Sequence, residues 1–137
     1  MSGETDLNKL LATMRPELRG GTYVFVTVPL NAIVPAGLEA VMSFREDEGL
    51  TMIVAERAAL AAEITGIFPC RMITLMVHSA LDAVGFLATI TTRLAAARIG
   101  VNPVSAFFHD HLFVPAGQAE EAVEILQRLA ADAKLKG

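Results

Sequence analysis

The sequence predicts an α+β fold in which helices lie on one face of antiparallel sheet. Two observations predict this class. The second half shows strand and helix periodicities in the order β-α-β-β-α, and the first half shows α-β-β-β-α. Both halves therefore contain a hairpin followed by a helix, which is a weak internal repeat. With 137 residues, 53% of them hydrophobic, the chain has enough apolar material to fill a core.

The first half alternates between helical and strand periodicity. Its predicted elements are a helix over 7–14, a strand over Thr22–Val28, a hairpin formed by Leu38–Arg45 and Leu50–Ala55, and a helix over Glu56–Thr65. Gly20-Gly21 breaks the chain before the first strand, and Gly66 stands where a helix commonly ends. A linker over Ile67–Cys70 leads into the second half.

The second half begins with an alternating apolar run that predicts a strand over Arg71–His78. The remaining predicted elements are a loop over Ser79–Ala83, a helix from Val84 to Arg98, strands over Val101–Phe108 and His111–Val114, and a last helix that buries Ala119, Ala122, Val123, Leu126 and Leu129. The run Met72–Thr92 is long enough to raise the question of a membrane span. It also contains His78, Gly85 and several hydroxyl side chains, so we interpret it as a strand followed by a buried helix.

Composition narrows the function classes. The net charge is -4, with 15 acidic residues against 11 basic ones, which argues against nucleic acid as a partner. The single cysteine, Cys70, cannot form an internal disulfide, and the N-terminal residues are polar. These features predict a cytoplasmic protein without a membrane partner.

Two stretches of the second half resemble the ACT domain. Arg71–Leu87 resembles the first strand, loop and helix start of that domain, and Ala95–Val114 resembles its later strand and hairpin. The residues Thr22–Pro29, Phe44–Glu46 and Glu48–Thr51 extend the likeness into the first half. The whole chain resembles small bacterial proteins of unknown function in which two ACT units are fused with no enzyme attached.

The resemblance implies two tandem ferredoxin-like units of the βαββαβ type. They are residues 1–68, a degenerate unit with an extra N-terminal helix, and residues 69–137. It also implies that units pair side by side and bind amino acids at the pairing interface. Only nine residues, Pro29–Gly37, separate the first two strands, too few for a crossover helix. The helix over 7–14 is therefore expected to cover the bare sheet face of the first half.

The loop before the helix of the second half is the best candidate for a ligand site. A helix start exposes N–H groups and a positive dipole end, which suit a carboxylate. Asp82 could accept a ligand ammonium group, and Gly85 would let a ligand approach the backbone. The alternative is that Asp82 is a helix cap and Gly85 a packing residue. The predicted ligand-binding residues are Ser79, Asp82, Val84, Gly85, Phe86 and Leu87.

The histidines and the single cysteine are the other reactive side chains of the sequence. His109 and His111 could bind a metal or serve a small enzyme with His78 as a third ligand, or they could belong to a solvated hairpin turn. Cys70 has no base beside it in the sequence and is interpreted as structural. We therefore predict no catalytic residues, no metal and no cofactor.

The function predicted from these observations is a non-catalytic regulatory module that binds a small amino acid. The alternatives are a small enzyme or metal site built on the three histidines, and a structural protein without a ligand. Exposed strand edges and the high apolar fraction predict a homodimer, with a further protein partner that the sequence does not name.

Overall fold

The computed structural model describes residues 3–137. Its elements are α1 (Leu7–Thr13), β1 (Arg15–Leu18), β2 (Tyr23–Val28), β3 (Ala40–Glu46), β4 (Gly49–Ala55), α2 (Glu56–Ala61), β5 (Ile67–Met76), α3 (Phe86–Ala96), β6 (Asn102–Ser105), β7 (Asp110–Pro115) and α4 (Ala119–Lys136). All strand pairings with a defined register are antiparallel, so the predicted α+β class is confirmed.

The chain forms two compact units. Unit 2 is Gly21–Cys70, and unit 1 joins the described residues up to Gly20 with Arg71–Gly137. Unit 1 is thus discontinuous in sequence, because β1 pairs with the second part of β5, with Leu18 opposite Ile73. The division at residue 68 that the resemblance implies remains a prediction.

Unit 1 is built around a large apolar core. In it β1 lies beside β5, β5 beside β7, and β7 beside β6, while α1, α3 and α4 contribute the helical part. Its fully buried side chains alternate along the strands and recur at helical spacing, as one-sided burial requires. They include Leu10, Ile73, Leu75, Ile90, Leu94, Leu112, Val114 and Leu126.

The expected position of the first helix is wrong. Leu10 and Leu11 of α1 belong to the core of unit 1, where α1 contacts α4 and α3. Its amphipathic pattern required an apolar partner but did not specify which one. The strand β1 was not predicted, because Pro16 was interpreted only as a helix stop. A proline is tolerated there because β1 is an edge strand.

The helix α3 is shorter at both ends than predicted. It begins at Phe86, preceded by Gly85 with φ of 95°, and Arg98 after its end has φ of 61°. The Ile99 N–H donates to the Leu94 carbonyl at 3.0 Å, which closes the helix end. The following strand, β6, ends at Ser105, three residues earlier than predicted.

Unit 2 contains a smaller sheet with one short helix. The strand β4 pairs with β3 and with β2, and Cys70 at the start of β5 pairs with Tyr23 of β2. The predicted helix over Glu56–Thr65 ends at Ala61, and Glu63 follows with φ of 56°. Residues 29–39 between β2 and β3 form turns and irregular backbone, as their length predicts.

Within residues 3–137, none of the helices combines the length and the apolar character that crossing a bilayer requires.

Candidate functional site

Unit 1 contains a cavity of about 130 Å³ where three segments meet. The segments are the loop after β5, the first turn of α3, and the facing ends of β6 and β7. The residues lining the cavity are Ser79, Ala80, Leu81, Ala83, Gly85, Phe86, Leu87, Ala88, Ser105 and Asp110. The predicted ligand loop therefore borders an actual cavity.

The start of α3 supplies the positive side of this cavity. No side chain of residues 3–137 caps the helix, so the N–H groups of Phe86, Leu87 and Ala88 have no capping partner. The residue before them, Gly85, has φ of 95°, a conformation that a side chain would strain. The Thr89 hydroxyl donates to the Gly85 carbonyl at 2.8 Å and fixes this turn. An uncapped helix start of this kind attracts an anion.

Asp110 supplies the negative side of the cavity. It is only 7% exposed, and the Ser79 hydroxyl donates to its Oδ2 atom at 3.1 Å. Asp110 is the first residue of β7 and lies opposite Ser105 of β6, which places both at the cavity. Burying a carboxylate with so little hydrogen bonding is costly unless a cation joins it.

The six predicted ligand-binding residues separate into two groups. Four of them, Ser79, Gly85, Phe86 and Leu87, line the cavity. Asp82 and Val84 do not; both are exposed, and Asp82 does not cap α3. Their part in binding remains a prediction.

The predicted set omitted six of the residues that line the cavity, namely Ala80, Leu81, Ala83, Ala88, Ser105 and Asp110. Asp110 was interpreted as a turn residue between two histidines. The signal that could have drawn attention to it is a single acid at the start of an otherwise apolar strand, because an inward-facing carboxylate there would be buried.

Backbone hydrogen bonds from Glu4 hold the loop that contains Ser79 in place. The Glu4 N–H donates to the His78 carbonyl at 2.8 Å, and the Ala80 N–H donates to the Glu4 carbonyl at 3.0 Å. Gly3 has φ of 110°, and a Cβ atom on it would lie 2.6 Å from the Ala80 nitrogen. Only glycine allows this close approach, so residues before α1 help to position the cavity wall.

Two of the three histidines lie next to each other on β7 and its turn. The His111 Nδ1 atom lies 3.0 Å from the Thr74 hydroxyl, which also accepts from Arg19 Nε at 3.1 Å. Burial lowers the pKa of the His111 imidazole below its usual range. Positive charge on His109 and Arg19 lowers this pKa further, whereas Asp110 opposes the shift.

The histidines contact different partners. The His109 Nδ1 atom lies 3.3 Å from the Val77 carbonyl oxygen, and the His78 ring packs against Phe108 with ring centroids 5.7 Å apart. Among residues 3–137, no group of three or more histidine, cysteine, aspartate or glutamate side chains is arranged to hold a metal ion.

Two larger cavities lie elsewhere. One, of about 370 Å³, is bordered by Arg15, Glu17 and Lys134 in unit 1, and another, of about 350 Å³, by Glu56 and Glu63 in unit 2. Their charged side chains are exposed, apart from that of Glu56, which is half-buried. The cavity at α3 is distinguished from both by its buried carboxylate.

The thiol of Cys70 is fully buried in unit 2, and its Sγ donates to the Tyr23 carbonyl at 3.4 Å. Burial raises the pKa of this thiol to about 11, which keeps it protonated and unreactive near neutral pH.

Comparison with known proteins explains the architecture. Two models of the ACT domain match the sequence, one over residues 2–71 and the other over residues 67–128. The chain belongs to the ACT-domain family. No curated protein has a sequence that matches this chain. The two matches to ACT-domain models confirm the prediction of two ACT units with a ferredoxin-like fold.

Solved structures of other proteins have a similar fold. A Vibrio cholerae protein of unknown function, described as a possible transport protein, is 39% identical with a TM-score of 0.82, covering 94% of this chain and 99% of its own. The regulatory subunit of aspartate kinase from Thermus thermophilus, in a ligand-free form, is 12% identical with a TM-score of 0.62, covering 87% and 97%. Membership of the ACT-domain family supports a regulatory module that binds a small molecule.

Proposed function

We propose that the protein is a non-catalytic regulatory module that binds a small zwitterionic amino acid in the cavity at the start of α3. The observation that carries this proposal is the pairing of opposite charges across one small cavity. The buried carboxylate of Asp110 lies on one side, and the uncapped N–H groups of α3 lie on the other. An α-amino acid carries the two complementary charges as an ammonium group and a carboxylate group on the same carbon atom.

The ligand carboxylate accepts hydrogen bonds from the N–H groups of Phe86 and Leu87, where the helix dipole favours it. The ligand ammonium group donates to Asp110, which Ser79 holds in place. Asp82 was the acid predicted from the sequence for the ammonium group. We favour Asp110 because it is buried, so its hydrogen bond to a cation is less weakened by water.

The proposed binding mode suggests how the ligand regulates. A bound ligand would connect the start of α3 to the start of β7, which are different elements of unit 1. The aspartate kinase subunit with the same fold is named as regulatory, which supports a partner enzyme that responds to the bound ligand. The homodimer and the cytoplasmic location remain predictions from the sequence.

The histidine-based alternative has less support. The Nδ1 atoms of His109 and His111 lie within hydrogen-bond distance of Val77 and Thr74 of this chain, and His78 packs on Phe108. The three rings thus have separate structural contacts. We therefore assign these residues to the framework around β7.

The test uses two matched substitutions, Asp110→Asn and Asp82→Asn. A thermal-shift screen of the twenty amino acids first identifies the ligand, because a ligand at 100 times its Kd stabilises the folded state by ~2.7 kcal/mol. Calorimetry then measures its affinity for both variants. Asp110→Asn keeps an acceptor for Ser79 but removes the charge, so binding should weaken by ~1.5–3 kcal/mol, or roughly 10- to 150-fold in Kd. Asp82→Asn should bind normally.

The two variants distinguish three results. Weaker binding only in Asp82→Asn would restore the sequence-based assignment of the ammonium acceptor. Normal binding in both variants would place the ligand elsewhere. Absence of any amino-acid ligand in the screen would refute the proposed function. As a folding control, ligand-free Asp110→Asn should be at least as heat-stable as the unmodified protein, because it replaces a buried charge with a neutral amide.

A further inference from the structure

The cavity of about 350 Å³ in unit 2 is a groove along one side of α2. Four of the residues that border it, Glu56, Ala59, Leu60 and Glu63, have the spacing of one helix face. Ala59 and Val24 supply buried apolar surface, and Leu60 borders the groove while 72% exposed. The groove therefore combines an apolar lining with two carboxylates.

The two carboxylates of the groove lack cationic partners. Neither Glu56 nor Glu63 forms an ion pair within residues 3–137. Unit 2, Gly21–Cys70, contains six acidic residues against two arginines and no lysine, so it carries the whole net charge of -4. An apolar groove in an acidic unit is complementary to an apolar side chain that has cations beside it.

The position of Glu63 is costly for the stability of unit 2. The Glu63 N–H donates to the Leu60 carbonyl at 3.1 Å, and the Ile64 N–H donates to the Ala59 carbonyl at 2.9 Å. This helix end gives Glu63 a φ of 56°, a conformation that favours glycine. A negative charge is also unfavourable at the end of a helix. A cation bound at the groove would offset part of this cost.

The end of α4 in unit 1 has the complementary composition. Leu135 is 88% exposed and is flanked by Lys134 and Lys136. Successive residues of a helix are about 100° apart, so the two lysines project on either side of this leucine. Neither lysine forms an ion pair within residues 3–137. Residues 134–136 thus present one apolar side chain between two long, flexible cations.

We infer that residues 134–136 of a second copy of this chain dock in the groove of unit 2. Leu135 covers the apolar lining, and the flanking lysines pair with Glu56 and Glu63. The occupant is argued from complementarity of both charge and apolar surface. This inference goes beyond the proposed function and does not depend on it, because Leu135 and the groove are separate from the cavity at the start of α3.

Sedimentation equilibrium of the full chain tests the contact by measuring the Kd of self-association. A contact of this size is small, so association should be weak and should appear at high protein concentration. Raising the salt concentration should weaken it further, since exposed ion pairs are screened. Thermal unfolding of each variant verifies that it is folded.

The apolar part of the contact is tested by Leu135→Ser. Removing this leucine should weaken self-association by roughly tenfold or more, because its burial is lost. The matched control is Ile33→Ser, which removes a 94% exposed side chain of unit 2 that does not border the groove. The control should leave the Kd within about twofold of the unmodified value, since no contact is lost. Both side chains are exposed, so neither change should disturb folding.

The charged part of the contact is tested by Glu63→Lys. It should weaken self-association by roughly tenfold or more, because like charges then face each other. Glu48→Lys is the control, since it makes the same change of charge at an exposed turn of unit 2 outside the groove.

Charge reversal in the docking segment identifies the pair. Lys134→Glu and Lys136→Glu should each weaken self-association when measured alone. Each is then mixed with Glu63→Lys in equal amounts. One of the two mixtures should associate again, because the introduced lysine meets the introduced glutamate and the unmodified groove meets the unmodified segment.

Several results would overturn the inference. A chain that stays monomeric at the highest concentration does not dock in this way. An unchanged Kd in Leu135→Ser or in Glu63→Lys would place self-association on another surface. Equal weakening by Glu48→Lys and Glu63→Lys would show that net charge governs association. Failure of both mixtures to associate would show that neither lysine meets Glu63.

Discussion

The two units of this protein differ in the segment that follows one of their strands. In unit 1 the chain leaves β5 through a short loop and enters α3, whereas in unit 2 it leaves β2 through the irregular residues 29–39. Among the described residues, the main core of unit 1 contains 18 buried side chains and that of unit 2 contains six. In unit 1, α3 therefore contributes core residues and also provides the helix start that borders the cavity. Unit 2 has irregular backbone at the corresponding place; its short helix α2 contributes Ala59 to the core and begins at Glu56, which borders the cavity of about 350 Å³.

The two units also differ in the surroundings of their buried polar groups. In unit 1, the carboxylate of Asp110 is buried but borders a cavity. In unit 2, the Cys70 thiol is fully buried and hydrogen-bonded to the backbone. A polar group that borders a cavity can bind a ligand, whereas a fully buried polar group contributes only to packing. This contrast supports the proposed location of the ligand site in unit 1.

The largest expected effect is the loss of unfolding free energy when a buried leucine is replaced by alanine in each of the two cores. Leu94→Ala in unit 1 should lower the free energy of unfolding by ~3–5 kcal/mol, because a fully buried leucine leaves a cavity among fixed helices. Leu38→Ala in unit 2 should cost ~2–3 kcal/mol, since it lies beside irregular backbone that can relax. Urea unfolding measures both values. Equal losses would show that unit 2 is packed as rigidly as unit 1.

A second prediction concerns the sealed thiol of unit 2. Folding raises the pKa of Cys70 from 9.0 to about 11, so the folded state holds this proton more tightly than the unfolded state. The protonated thiol should therefore contribute fully to the free energy of unfolding below pH 9. This contribution should be lost as the pH rises towards 11, by up to ~3 kcal/mol. Unfolding measured from pH 8 to 11 checks this.

The control for that prediction is Cys70→Ala, which should show a shallower alkaline loss of stability than the unmodified chain. In the folded protein, the thiol should also react far more slowly with an alkylating reagent at pH 8 than in urea. Fast labelling of the folded chain would show that unit 2 is open to solvent at this position.

The smallest expected effect is a gain of stability at one helix end in each unit. Arg98 follows α3 in unit 1 and Glu63 follows α2 in unit 2, both with positive φ. Replacing either with glycine should raise the free energy of unfolding by ~0.5–1 kcal/mol, because glycine adopts this conformation without strain. Ala97→Gly, at φ of -92°, is the control and should be destabilising. A loss in Arg98→Gly or Glu63→Gly would contradict the assigned helix ends.

The sequence by itself determined the type and order of most elements, because these depend on local periodicity. Of the residues predicted to be buried on α4, Ala119, Ala122, Leu126 and Leu129 are buried. The loop before α3 was also predicted as the ligand candidate, since a strand, a loop and a helix start are adjacent in the chain. Four of its six predicted residues line the cavity.

Only the tertiary structure decided which distant residues complete the site and which core receives α1. Asp110 meets Ser79 across 31 positions of the sequence, because β7 lies beside β5 in the sheet. The amphipathic pattern of α1 showed that one face must be buried but not that α3 and α4 would cover it. Periodicity indicates which side chains of an element face inwards. It does not indicate which element packs against that face, because several packing arrangements satisfy the same local pattern.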